Sequence, residues 1–474
     1  HPRNPKLKMP PLVRYNIPII GHTYSYLYNS EEFLKKCRKE YGDVFSLYIW
    51  GKVITFVGKE HVNEVFGRDE FNLKEIFKRT IPGDVMYINE SGDTRYNVMV
   101  VKDYISKRSE LYNERMQKSL QLGIQRYIGE CKEQKVQNHL FYLLTKVIAA
   151  PIANLFIGEE ESKSDEVIIT FAEFNCEVVL FYAIPPILDF IYPGLQNYVN
   201  RIPVKLGLYN PAAKHRGILI KHIKNQVDKR LKEKREYCDS WKRPDDLLQD
   251  FIEENTFDPN NINYAELADK MLKFTFVSIH TTSRACTNAL IDLASRPEYM
   301  QELYEEQLEV YKEVDKNGIL QFAALNKMKK LDSFVKESLR LTGDIALLPH
   351  LLLKDYTFSN GLQVPKNHIV ELYLDDIYQD ESLQGPNPKS FEPFRHVNKN
   401  SLATKVSREY LVFGGYKHAC PGRFIAINEI KFFMHNVILN YNFRTESGEI
   451  EEKLRIGPVT FPSACGVIFE KRII

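Results

Sequence analysis

The sequence predicts a mainly α protein with a small β-rich lobe. Apolar residues recur at helical spacing through five long tracts, 103–126, 139–156, 215–235, 265–295 and 299–314. Strand-like alternation is confined to short stretches around residue 50 and between 356 and 374. With 474 residues, 44% of them hydrophobic and 12% aromatic, the chain can build an extensive core. No linker and no repeat of 20–50 residues divides it, so one domain over 1–474 is expected.

The first lobe segment alternates over Val44 to Ile49 and Val53 to Val57, which predicts a hairpin joined through Gly51-Lys52. Residues 356–358 and 362–364 flank Asn360-Gly361, the dipeptide of a tight hairpin turn, and a further strand follows over 368–374. The 265–295 helix has a start signal in Asn263, with Glu266 three residues on, and ends before Pro297. At 1.5 Å per residue it spans about 50 Å. Five polar side chains in six positions interrupt it: Ser278, His280, Thr281, Thr282 and Ser283. Hydroxyls in mid-helix can bond back to the carbonyl four residues earlier, which bends the helix and loosens its ladder. A helix over about 331–341 carries Glu337 and Arg340 among Leu331, Phe334, Val335 and Leu339. The ion pair is therefore expected to be buried, and must be closed by further hydrogen bonds. A last helix over 423–443 follows Cys420 directly. Pro421 has no N–H, so the donors of Gly422 and Arg423 are free to face the sulfur and lower its pKa, while Gly422 lets the chain pass close to something flat.

The loop Phe413-Gly414-Gly415-Tyr416-Lys417-His418-Ala419-Cys420-Pro421-Gly422 resembles the heme-binding loop of the cytochrome P-450 family, in which the cysteine thiolate ligates heme iron. The resemblance makes Cys420 the metal ligand, sets Phe413, Gly414 and Gly422 around it, and sends His418 to a heme propionate. Tyr416 departs from the family, which has glycine there. His350, in Leu348-Pro349-His350, falls where many members carry a propionate-binding arginine; the 103–126 tract has neither the tryptophan nor the arginine that members often use there. Phe391-Glu392-Pro393-Phe394-Arg395 is similar to the segment whose arginine joins the Glu-x-x-Arg pair, so Glu337, Arg340 and Arg395 would form a structural triad. Thr281 matches the threonine that holds dioxygen, with Thr282 beside it. His280 stands at the position of the family's acid, where an imidazole with a pKa near 6.5 could relay protons. By position, the substrate pocket would draw on Met86, Tyr87, Phe274, Val277, Ser278, Ile345, Ala346, Leu347, Leu348, Val459, Thr460 and Phe461.

The resemblance covers nearly the whole chain and is strongest to fungal microsomal members. It implies a monomeric heme-thiolate monooxygenase of the endoplasmic reticulum membrane, facing the cytoplasm, that oxidises a terpenoid, steroid or fatty acid with dioxygen. No Gly-x-Gly-x-x-Gly or flavin segment is present, so electrons are expected from an NADPH-dependent flavoprotein reductase, with Lys417 and Arg423 at its docking face. Residues 1–12 are similar to the basic, proline-rich hinge that follows a membrane anchor, and the apolar segment 181–195 is a second candidate membrane contact. No run of 18 apolar residues occurs. A net charge of +2 gives nucleic-acid binding no support, and seven scattered cysteines without a Cys-x-x-Cys pair argue against zinc or a disulfide framework. Two other classes share these motifs: a heme-thiolate isomerase or dehydratase that rearranges a peroxide without a reductase, and a non-catalytic heme protein that binds a small ligand.

Overall fold

A computed structural model describes residues 6–80, 82–88, 94–254, 258, 260–344, 346–399 and 401–473. Helical and alternating tracts separate in space as their periods require. The helix Tyr264–Ala294 is the axis of the larger lobe. The Asn263 side chain accepts the N–H of Glu266 at 3.1 Å, so the expected cap is in place. Around this axis pack the helices Leu140–Ile157, Asp165–Ala183, Pro211–Tyr237, Lys329–Leu341 and Arg423–Asn440. Leu120, Ile148, Phe171, Leu272, Leu290, Phe334 and Phe433 belong to the single core they enclose. The helix Leu140–Ile157 is long and apolar enough to cross a membrane, but 78% of it is buried by its neighbours.

The smaller lobe is a five-stranded sheet in the order Val44–Ile49, Lys52–Val57, Ile369–Tyr373, Ala346–Leu352, Phe71–Asn72. Its second and third strands pair in parallel and the others antiparallel. The hairpin turn is Trp50-Gly51, one residue earlier than expected. Ile49 pairs with Lys52, and both turn residues have positive φ, +49° and +73°. A two-residue primed turn needs left-handed backbone at both central positions, and Gly51 serves the second, not the first. Strand Ala346–Leu352 carries a bulge between Leu347 and His350, with Leu348 at φ +58°. The small hairpin at Asn360-Gly361 forms as expected.

Two helical tracts end differently from the expectation. The 103–126 tract splits into a π-helical turn, Val100–Ile105, and the helix Asn113–Tyr127. Tyr112 Oη donates to Tyr104 O at 2.8 Å across the break, and Arg108 is drawn to Asp250 at 2.8 Å. The 423–443 tract stops at Asn440, because Tyr441–Thr445 joins a sheet with Val467–Lys471 and Lys135–Gln137. The apolar segment 181–195 runs from the end of helix Asp165–Ala183 through a short turn, Ile187–Phe190, into helix Leu195–Lys205.

Candidate functional site

The Cys420 loop is closed by its own backbone: Cys420 N donates to Phe413 O at 2.8 Å. Gly414 turns the chain at φ +73°, and a Cβ there would lie 2.7 Å from His418 O. At Tyr416, where a glycine was expected from the resemblance, the tyrosine itself adopts φ +47°, with its side chain 61% exposed. The turn is thus kept at the cost of strain in a residue with a Cβ. Gly422 caps the helix Arg423–Asn440, and a Cβ on it would stand 3.5 Å from Val101 Cγ1 and 3.9 Å from the Cys420 sulfur. The N–H groups of Gly422 and Arg423 do reach the sulfur, as expected, yet burial outweighs them and holds the thiol above its ordinary pKa. The expected lowering is therefore corrected: these donors need a further cation beside the sulfur to hold it as thiolate. Ser106 Oγ donates to Pro421 O at 2.9 Å, so the short 3-10 turn Ser106–Arg108, which follows the π-helical turn, buttresses the loop. Sequence reasoning missed Val101 and Ser106, since a π turn running into a single 3-10 turn has no periodic signature.

His350 and His418 converge beside this loop, with ring centroids 5.7 Å apart at 82°, and Phe66 packs edge-on to His350 at 5.6 Å. The Leu348 bulge aims His350, whose Nδ1 lies 2.7 Å from Leu348 O. Both Nε2 atoms are buried without a hydrogen-bond partner. Burial lowers both imidazoles, His350 to about 4. Two buried, unsatisfied ring nitrogens fit an anionic group that would restore their protons.

Glu337, Arg340 and Arg395 meet in one buried cluster. Arg340 grips Glu337 with two parallel bonds, Nε to Oε2 at 2.9 Å and Nη2 to Oε1 at 2.7 Å, and Arg395 Nε reaches Oε1 at 3.1 Å. The spare guanidinium donors are taken by the carbonyls of Tyr378, Pro388, Pro386 and Asn387. Burial alone would raise the Glu337 carboxyl; the Arg340 and His396 bonds, the Arg340 charge and the N–H of Glu392 bring it down to about 2. The cluster ties helix Lys329–Leu341 to the 386–396 segment.

On the central helix the polar interruption divides between two faces. Val277 is 55% exposed and Thr281 is exposed with it, although the helix is otherwise buried on most sides. Ser278 Oγ bonds back to Phe274 O, and Thr281 Oγ1 to Val277 O at 3.0 Å, the back-bonding expected of mid-helix hydroxyls, in a helix that stays continuous from Tyr264 to Ala294. Thr282 is buried and leaves this face. His280 also turns away: its ring meets Phe141 edge-on at 5.3 Å, and burial and the Arg284 charge lower it to about 4. An imidazole so placed stays neutral near pH 7, and a relay role has no geometric support. Arg284, one turn beyond Thr281, pairs instead with Asp344 at 2.7 Å. An open apolar stripe of Val277 and Thr281, glycine at 422 and two orphan imidazoles together fit a flat apolar macrocycle with acidic edge groups.

Of the expected pocket residues, Phe274 is buried against Phe251, 6.3 Å between centroids. Met86 is buried, its carbonyl accepting from Arg216 at 2.9 Å, and Tyr87 lies under Lys273 at 4.8 Å, so this segment is pinned to the first half of the central helix. Leu347 and Leu348 are partly buried against the core of the smaller lobe. Ala346 opens that strand, and Ile345 lies outside the described residues. Thr460 is fully buried with its N–H on Asp344 at 2.9 Å, so alternation sends Val459 and Phe461 to the other side of the strand. The expected docking cations are engaged locally: Lys417 with Asp69, and Arg423 with Cys420 O at 2.8 Å and Thr404 O at 3.1 Å.

A family model described as cytochrome P-450 matches residues 10–463. Cytochrome P-450 monooxygenase 151 of Postia placenta is 27% identical over 426 residues, 83% of this chain and 82% of the relative. Cytochrome P-450 monooxygenase olcJ of Penicillium canescens is 23% identical over 465 residues, 93% and 85% of the two chains. Cytochrome P-450 monooxygenase 71 of Postia placenta is 34% identical over 261 residues, 53% of this chain and 51% of the relative.

Proposed function

Because the chain belongs to the cytochrome P-450 family of heme-thiolate monooxygenases, we propose that Cys420 holds the heme iron and that the enzyme oxidises a hydrophobic small molecule above it. The observation that carries this is the closed Cys420 loop, with its sulfur beside Gly422 and faced by two backbone N–H groups. When bound, the heme supplies the redox chemistry by which dioxygen, two electrons and two protons become one inserted oxygen atom and one water.

This chain's residues position, neutralise and deliver protons. The N–H groups of Gly422 and Arg423 stabilise negative charge on the sulfur. His350 and His418 would hold the propionates through their free Nε2 atoms, and the carboxylates would raise both imidazoles toward the charged form. The hydroxyl of Thr281 stands on the open face of the central helix with its proton lent to Val277 O. It is free to turn that proton toward the reacting oxygen. Val277, beside it, presents apolar surface that favours an apolar substrate and excludes water. Glu337, Arg340 and Arg395 act on assembly of the cysteine pocket, and the chain works as one catalytic unit.

The electron donor would be a flavoprotein reductase, the kind of redox partner that membership of the family implies. Lys417 is the test of that docking face. Charge reversal, Lys417→Glu, slows heme reduction by the reductase with the heme spectrum unchanged, and an equal rate removes Lys417 from the contact. A terpenoid, steroid or fatty acid suits the apolar surroundings of Val277, and the exposed apolar segment after residue 184 suits a membrane surface, that of the endoplasmic reticulum.

The deciding experiment is the reduced, carbon monoxide difference spectrum of the purified protein beside Cys420→Ser. A thiolate-type Soret band that disappears in the variant assigns the ligand. A histidine-type band in the wild type, or a thiolate band that survives in the variant, overturns the assignment.

A further inference from the structure

On the far side of the larger lobe, helices Asp165–Ala183 and Pro211–Tyr237 lie against each other and trap two histidines seven residues apart. Their surroundings differ. His222 satisfies both ring nitrogens with carboxylates, Glu161 at 2.5 Å and Glu166 at 2.8 Å. His215 is fully buried, edge-on to Phe174 at 5.7 Å, and neither of its ring nitrogens has a hydrogen-bond partner. Its Nε2 faces Glu177 Oε2 at 3.5 Å, and that carboxylate oxygen is itself buried and unpartnered. Glu173, one turn before Glu177 on the same helix, completes a group whose ligand atoms all lie within 4.8 Å of one another.

We propose that Glu173, Glu177 and His215 form a divalent-metal site suited to zinc, which clasps the two helices together. A buried imidazole without a partner needs a cation or a donor in front of it. Two ligands about 2.1 Å from a tetrahedral zinc ion stand about 3.4 Å apart, close to the separation of His215 Nε2 and Glu177 Oε2. One nitrogen and two carboxylate oxygens leave the fourth position to water. The scattered cysteines bear on sulfur frameworks and leave an imidazole–carboxylate set untouched. Lys214 is the competitor. Its Nζ is 2.6 Å from Glu177 Oε1 and 3.6 Å from Glu173 Oε2, but its side chain is 53% exposed and can swing out when a metal enters.

The site stands independently of the heme reading and is tested on the heme-loaded protein after treatment with a chelator. Zinc chloride is titrated calorimetrically into wild type, His215→Ala, Glu177→Gln and Lys214→Met, each first checked for the wild-type carbon monoxide spectrum. The expected result is one zinc equivalent in the wild type, its loss in His215→Ala and in the near-isosteric Glu177→Gln, and tighter binding in Lys214→Met. Zinc-edge absorption then reads a nitrogen and oxygen shell without sulfur, and zinc raises the thermal midpoint of the wild type alone among wild type, His215→Ala and Glu177→Gln. No bound zinc, an equivalent retained in Glu177→Gln, or a sulfur shell overturns the proposal.

Discussion

Tyr416 concentrates the tension between the Cys420 loop and its sequence. The loop must reverse between Phe413 and Cys420, and the conformation it uses at 416 is left-handed, φ +47°. A residue with a Cβ pays about 1–2 kcal/mol for that backbone, whereas glycine adopts it freely but loses about 0.5–1 kcal/mol to its greater freedom when unfolded. The Tyr416 side chain is mostly exposed, so little packing is forfeited on its removal. Tyr416→Gly is therefore expected to stabilise the holoenzyme by about 0.5–1 kcal/mol, read as a higher thermal midpoint with an unchanged carbon monoxide spectrum. A lower midpoint would mean that the ring contributes packing of its own. The position was legible from sequence as a departure; its φ was not, because only the closing Cys420 N to Phe413 O bond fixes the reversal.

Within elements, the roles proposed for the central helix in chemistry and for the Glu337 helix in assembly lead to separate predictions. Thr281 and His280 are neighbours in sequence but about 100° apart around the helix, and that angle separates the open face from the contact with Phe141. Thr281→Val is expected to lower the product formed per NADPH consumed about tenfold, through the lost proton donor. His280→Phe, which keeps the aromatic contact, is expected to leave that ratio within about twofold. A tenfold fall in the His280 variant would restore the relay. For the Glu337 helix the prediction concerns acid. The Glu337 carboxyl is held at about 2 against an ordinary 4.5, so its contribution of about 3 kcal/mol is complete above about pH 4.5 and declines as pH falls toward 2. Glu337→Gln leaves two buried guanidinium groups short of their counter-charge and should cost about 3–5 kcal/mol at pH 7. The gap between the urea midpoints of wild type and variant should narrow as pH falls from 5 to 3, and a constant gap would refute the linkage. The motifs of both helices were readable because spacing alone puts Glu337 and Arg340 on one face. The paired turns over 100–108, the strand after Asn440 and the inward rotation of Thr282 were not, since each is settled by long-range partners: Pro421, Val467–Lys471 and the surrounding core.

At the scale of the whole molecule, burial stops abruptly between the helices Asp165–Ala183 and Pro211–Tyr237. Ile187, Ile191, Tyr192, Leu206 and Leu208 are exposed here within 22 residues of chain, Ile191 at 75% and Leu208 at 77%. The segment is not loose. At the tip of the first hairpin Lys52 pairs with Asp189 at 2.8 Å and Trp50 meets Phe190 at 5.5 Å, and Gln196 N donates to Asp189 at 3.0 Å. Beneath it lies a cavity of about 940 Å³ whose walls include Leu12, Ile76, Phe181, Ile184 and Ile369. A fixed apolar rim over a cavity is the geometry expected of a surface that sits in the headgroup boundary and receives an apolar substrate from the bilayer. Each exposed Ile or Leu contributes about 1.5–3 kcal/mol when fully buried in hydrocarbon. Ile191→Lys combined with Leu208→Lys should therefore weaken cosedimentation with neutral phosphatidylcholine vesicles by at least about tenfold, while the carbon monoxide spectrum and the thermal midpoint stay as in the wild type. Turnover would separate as well: KM for an apolar substrate presented in vesicles should rise, and kcat should hold, because neither residue approaches Cys420. Equal sedimentation of variant and wild type would remove this rim from the membrane contact and leave it as a surface for a protein partner.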